Sequence, residues 1–67
     1  MISPRAIRMI NRRGFIDLFW EELARRRKEE QSITHEQVYE SLESEYYAEF
    51  KQRRYSNFES FRSNRDR

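Results

Sequence analysis

The sequence predicts an all-α fold, a small domain of three to four helices built on an antiparallel helical hairpin that spans residues 15–30 and 34–53. In both segments apolar residues recur at the spacing of a buried helix face, and no stretch alternates with the period of two typical of a strand. The 67 residues include one glycine and one proline, too few for a sheet protein with many tight turns. We therefore expect a single α-helical domain over residues 1–67, in which short helices flank the hairpin.

The first predicted helix covers about residues 4–13. Ser3 is a suitable N-cap, and Pro4 falls at the first helical position, where its missing N–H has no partner to lose. Gly14 is expected to end this helix as a left-handed residue, because glycine adopts that conformation without steric cost. A helix that continues through Gly14 is the alternative.

The hairpin follows. Its first helix, residues 15–30, carries a wide apolar face made of Phe15, Ile16, Phe19, Trp20 and Leu23. The second, residues 34–53, begins with a capping box of Thr34 and Gln37, since a threonine followed three residues later by glutamine satisfies two helix-start N–H groups. Its apolar face comprises Val38, Tyr39, Leu42, Tyr46 and Phe50. Because the connection between the helices is short, we expect them to be antiparallel neighbours whose apolar faces form the core.

A fourth, short helix is predicted over about residues 57–65. Ser56 and Glu59 repeat the capping-box spacing, with Ser56 as the N-cap. Phe58 and Phe61 then point to one side of the helix. Whether this helix packs on the hairpin or extends toward a partner is left open by the sequence.

Charge is strongly segregated along the chain, although the net charge is only +2. Residues 1–28 carry eight basic and three acidic side chains, residues 29–49 carry seven glutamates and no basic residue, and residues 50–67 carry six basic and two acidic side chains. In an antiparallel hairpin the basic end of each helix would meet the acidic end of the other. The expected partners are Arg25–Lys28 with Glu36 and Glu40, and Asp17, Glu21 and Glu22 with Lys51, Arg53 and Arg54.

The composition argues against an enzyme. The chain has no cysteine and one histidine, His35, which lacks the neighbouring ligands of a metal site. It also lacks a glycine-rich phosphate loop, and so short a helical chain can hardly enclose a substrate cavity. We expect no catalytic residue, no cofactor, no metal and no small-molecule substrate. Glu36, Glu40 and Glu43 share one side of a helix and are expected to be solvated.

The terminal arginines suggest nucleic-acid binding as an alternative function, because they have few acidic neighbours in sequence. Residues 34–67 have the connectivity of a helix-turn-helix, in which the last helix would be the recognition helix. The strongly acidic preceding helix weighs against this interpretation. The nucleic-acid candidates are Arg5, Arg8 and Arg12, which form one stripe opposite Ile7 and Ile10 on the first helix, and Arg62, Arg65 and Arg67.

Protein–protein binding, including self-association, is favoured, because the net charge is small and surplus aromatic residues are typical of protein interfaces. The interface candidates are Tyr47, Tyr55, Phe58 and Phe61. Membrane binding is not favoured, since arginines interrupt every apolar run of the first fourteen residues and no secretory signal is recognisable. A cytoplasmic location is the simplest expectation.

The motifs T-H-E-Q-V-Y at residues 34–39 and R-R-Y-S-N-F-E-S-F-R at residues 53–62 carry one resemblance. The stretch from residue 33 to 67 resembles a recurring C-terminal pattern of small bacterial and phage-borne open reading frames. The resemblance implies a phage or mobile-element context and no particular activity.

Overall fold

Four helices follow one another in the computed structural model, which describes residues 2–66. They are α1 (Pro4–Met9), α2 (Arg12–Arg27), α3 (His35–Phe50) and α4 (Phe58–Arg65). Helices account for 71% of the described residues, which contain no strand. The predicted small all-α domain of four helices is confirmed.

The corner between α1 and α2 differs from the prediction in its residues and in the role of its glycine. Asn11 is the N-cap of α2, and its side-chain oxygen accepts a hydrogen bond of 2.6 Å from the backbone N–H of Gly14. Gly14 therefore lies inside α2, and the prediction that it ends the first helix is wrong. Glycine is needed here because a Cβ atom would lie 1.9 Å from the carbonyl oxygen of Arg8. The two helices are separate, and α1 is shorter than predicted.

The hairpin of α2 and α3 has the predicted start signal for its second helix. Thr34 and Gln37 form the capping box, with reciprocal hydrogen bonds of 3.1 and 2.9 Å. The end of α3 comes earlier than predicted, because Lys51 adopts a left-handed conformation with φ of 61° and turns the chain back along the helix. Segment 51–57 then leads to α4.

Helix α4 packs on the hairpin and closes the core. Its N-cap is Asn57, whose side chain accepts from the backbone N–H of Ser60, so the expected capping role of Ser56 is wrong. Phe61 is fully buried, and its ring stacks on that of Tyr39 with centroids 4.9 Å apart. The buried cluster contains Met9, Phe15, Ile16, Leu18, Phe19, Leu23, Ile33, Val38, Tyr39, Leu42, Tyr46 and Phe61.

Candidate binding surfaces

The two arginines of α1 are bound to carboxylates of the hairpin. Arg5 donates to both carboxylate oxygens of Glu45 at 3.1 and 3.2 Å and lies 3.5 Å from Glu22. Arg8 donates to both oxygens of Glu21 at 3.1 and 2.6 Å, and this hydrogen bonding holds the pKa of Glu21 below its usual range. Such exposed pairs are individually weak, but they neutralise the charge of this face.

Arg12 does not belong to a stripe with the other two N-terminal candidates, because it begins α2 rather than ending α1. Its guanidinium donates to the side-chain and main-chain oxygens of Asn64 in α4. The predicted arginine stripe on one helix is therefore wrong. Arg12 instead links the start of the hairpin to the last helix.

The C-terminal candidates are also engaged within the chain. Arg62 forms an ion pair of 2.7 Å with Glu59, and Arg65 forms one of 2.9 Å with Asp66. Arg67 lies outside the described residues. As a recognition helix, α4 would present Glu59 and Asp66 beside its arginines, so its exposed face is close to neutral. This placement weakens the helix-turn-helix interpretation.

The expected charge pairing across the hairpin is wrong. Glu22, which is 4% exposed, is bound by Arg25 of its own helix at 2.8 Å and by Arg26 at 3.6 Å. The hydrogen bond from Arg25 is the main cause that lowers the pKa of Glu22. Arg53 pairs with Glu40 because the chain folds back along α3 after residue 50. Residues of the same helix, of α1 and of segment 51–57 therefore bind carboxylates that were expected to pair with the facing helix of the hairpin.

Only one of the four aromatic interface candidates is well exposed. The side chain of Tyr47 is 54% exposed, and it lies at a shallow surface groove that Glu40, Ser44 and Arg53 also line. The other three, Tyr55, Phe58 and Phe61, pack in or against the core. The expected placement of Phe61 on a surface is wrong, because its ring fills the space between the hairpin helices and α4.

The half-buried Tyr55 shows how completely this part of the chain is packed. Its ring meets those of Phe15 and Phe61 edge-on at 5.5 Å, and its hydroxyl has no hydrogen-bond partner among the described residues. Burial raises the pKa of Tyr55. Neither Tyr55 nor Phe58 offers a free ring face comparable with that of Tyr47.

Glu43 is a structurally important residue that the sequence interpretation placed in solvent. It is 2% exposed and accepts hydrogen bonds from the Tyr39 hydroxyl at 2.5 Å and from the backbone N–H groups of Arg54 and Tyr55 at 2.8 and 2.9 Å. Burial and the bond to this carboxylate raise the pKa of Tyr39. In the sequence, its burial could have been inferred from its position four residues after Tyr39, at the edge of the apolar face. Glu43 holds segment 51–57 against α3 and so positions α4.

Three isoleucines near the N-terminus are exposed and were not among the interface candidates. Ile2, Ile7 and Ile10 are 42%, 55% and 53% exposed. On α1, Ala6 and Met9 face the core, and each precedes one of the helical isoleucines by one residue. Because a helix turns by about 100° per residue, Ile7 and Ile10 share the flank opposite to that of the arginines. We name Ile2, Ile7 and Ile10 the isoleucine surface.

Trp20 lies partly at the surface, although the apolar spacing of its helix predicted that it would be in the core. It is 45% exposed. The rings of Phe19 and His35 meet its indole at angles of 73° and 89°, with centroids 5.0 and 5.8 Å away. The Arg65 guanidinium lies 5.6 Å from the indole centroid. Trp20, His35 and Arg65 come from three different helices, so no local sequence pattern could place them together. We name these three residues the tryptophan cluster.

His35 is neutral in this arrangement. Arg65 donates to its Nδ1 atom at 2.9 Å, and since a guanidinium only donates, the proton of the ring must be on Nε2. Burial and the positive charges of Arg65 and Arg27 lower the pKa of His35. The histidine therefore serves as an acceptor that helps dock α4.

No cluster of three metal-ligating side chains occurs among residues 2–66, and no helix in that range has the length and apolar character needed to cross a membrane. The chain matches no protein-family model, and no curated protein or solved structure matches it either. The resemblance to phage-borne reading frames thus stays a prediction. The isoleucine surface and the tryptophan cluster are therefore defined by exposure and contacts alone.

Proposed function

We propose that this chain is a non-enzymatic protein-binding module that associates with a second copy of itself through the isoleucine surface. In this proposal it is a small structural component of the cytoplasm, in a phage or mobile-element context. The observation that carries the proposal is the exposure of three large apolar side chains within the first ten residues.

Exposed apolar side chains of this kind suit a second copy, because a two-fold symmetric interface brings the same surface of both subunits together. Burial of isoleucine against isoleucine removes apolar area from water on both sides. The arginines on the other flank of α1 are neutralised by Glu21, Glu22 and Glu45, so two copies can approach without strong repulsion. A chain of 67 residues also has a small core of its own, to which a second copy would add.

Sedimentation velocity over protein concentrations from about 10 μM to about 1 mM tests the proposal. This range covers association free energies of about −7 to −4 kcal/mol. We expect the wild-type chain to dimerise and the double variant Ile7→Gln, Ile10→Gln to associate at least tenfold more weakly. Tyr47→Gln is the matched control, because it removes an equally exposed large side chain elsewhere.

Circular dichroism should show the same helix content in all three proteins, since the changed side chains are exposed. A wild-type chain that remains monomeric up to about 1 mM contradicts the proposal. So does a double variant that associates as tightly as the Tyr47→Gln control.

A further inference from the structure

We propose that the tryptophan cluster, together with Arg13 and Arg27, is a binding site for single-stranded nucleic acid. This site is separate from the isoleucine surface and does not depend on self-association. It also differs from the helix-turn-helix arrangement, because α4 supports the site from behind and does not enter a groove.

The first element of the site is a fixed and accessible aromatic ring. Trp20 keeps 45% of its surface exposed although Phe19, His35 and Arg65 hold its orientation from one side. A ring that is already held loses little conformational freedom when a ligand stacks on it. Every base has a flat π-face, so such a ring accepts bases without regard to sequence.

The second element is positive charge along the same side of α2. Arg13 and Arg27 lie seven residues before and after Trp20, and seven residues make almost two helical turns, so all three side chains share one side. At 1.5 Å per residue each arginine is about 10.5 Å from the tryptophan along the helix axis. This spacing places a cation on both sides of the ring, where the backbone of a bound strand would pass.

These arginines are more available than the five terminal candidates that the structure describes. The exposed side chain of Arg27 forms no hydrogen bond or ion pair with any residue from 2 to 66. The side chain of Arg13 is 85% exposed and forms one ion pair, of 3.3 Å, with Asp17. Arg65 is different, because its side chain is only 10% exposed and bound to Asp66. We therefore assign phosphate binding to Arg13 and Arg27, and ring positioning to Arg65.

A single strand fits these features better than a duplex or an acidic protein. In a duplex the bases are stacked on one another and cannot reach the indole. An acidic protein supplies negative charge but no flat bases for the exposed ring. A single strand presents phosphates and unstacked bases together.

Because Trp20 is the only tryptophan, its fluorescence reports directly on the site. The probe is an oligothymidylate of about 15 nucleotides, within the range of known single-strand site sizes. We expect quenching that saturates and an affinity that falls about sevenfold between about 50 and 200 mM salt, as two phosphate contacts predict. Polyglutamate of similar length should bind far more weakly.

Two substitutions with the same change of charge locate the site. Arg27→Gln should weaken binding about fivefold or more and flatten the salt dependence. Lys51→Gln should leave both unchanged, because Lys51 follows the far end of α3, a helix whose 16 residues span about 24 Å from His35. Trp20→Ala, followed by anisotropy of a labelled oligonucleotide, should weaken binding at least fivefold, the lower end of a stacking contribution.

Absence of binding at about 50 mM salt would overturn the proposal. Equal affinity for polyglutamate would also overturn it, since the surface would then recognise charge alone. Equal effects of Arg27→Gln and Lys51→Gln would place any binding elsewhere. Circular dichroism of each variant separates loss of the site from loss of the fold.

Discussion

The buried carboxylate of Glu43 permits a sharp test of how segment 51–57 is held. Oε1 accepts from the backbone N–H of Arg54, whereas Oε2 accepts both from the backbone N–H of Tyr55 and from the hydroxyl of Tyr39. Glu43→Gln keeps the size of the side chain but replaces one of these oxygens by an amide that donates. In either orientation of the amide, at least one backbone N–H that points at this buried side chain then faces another donor.

An unsatisfied buried donor costs about 1–3 kcal/mol, so we expect Glu43→Gln to lower the free energy of unfolding by about 2 kcal/mol. A core of this size supplies only about 3–5 kcal/mol, which makes the loss a large fraction of the total stability. With a urea dependence of about 1 kcal/mol per molar, typical of a small domain, the unfolding midpoint should fall by about 2 M.

Urea unfolding followed by Trp20 fluorescence and by circular dichroism measures this shift. Glu49→Gln is the control, because the side chain of Glu49 is exposed and makes no hydrogen bond or ion pair within residues 2–66. The control should change stability by no more than about 0.5 kcal/mol. If the two variants unfold at the same urea concentration, the carboxylate of Glu43 does not hold the segment and the reasoning is refuted.

Three further predictions follow from packing and charge. Gly14→Ala should destabilise the fold by about 1–3 kcal/mol in urea unfolding, because the new Cβ would overlap the carbonyl oxygen of Arg8, although alanine is usually favourable in a helix. An unchanged unfolding midpoint would contradict the close approach of Gly14 to Arg8. Phe61→Ala should cost about 3–5 kcal/mol and reduce helicity, whereas Tyr47→Ala should cost less than about 0.5 kcal/mol; similar losses would disprove the difference in burial. Since the pKa of His35 is lowered in the folded state, the unfolded chain takes up the proton first as pH falls through about 6.5. Wild-type stability should therefore drop as pH falls through this range, and His35→Gln should remove that part of the drop; a variant with an unaltered pH dependence would refute it.

Local sequence determined the helical character of the chain and several of its helix boundaries. The all-α fold, the hairpin and the capping box of Thr34 and Gln37 follow from apolar spacing and from side chains that bond to N–H groups three residues away. These signals depend on neighbours within about one helical turn, so they are visible in the sequence. Competing caps were harder to resolve, and Asn57 serves as an N-cap where Ser56 was expected.

The tertiary structure decided which polar groups are buried and which apolar groups remain exposed. Spacing alone put Trp20 in the core and Glu43 in solvent, and both assignments are reversed. The reason is that other elements decide whether the edge of a helix face is covered. Segment 51–57 folds over Glu43, whereas His35 and Arg65 contact only part of Trp20 and leave 45% of it exposed. Such contacts join residues far apart in the chain, and only the packing of the four helices brings them together.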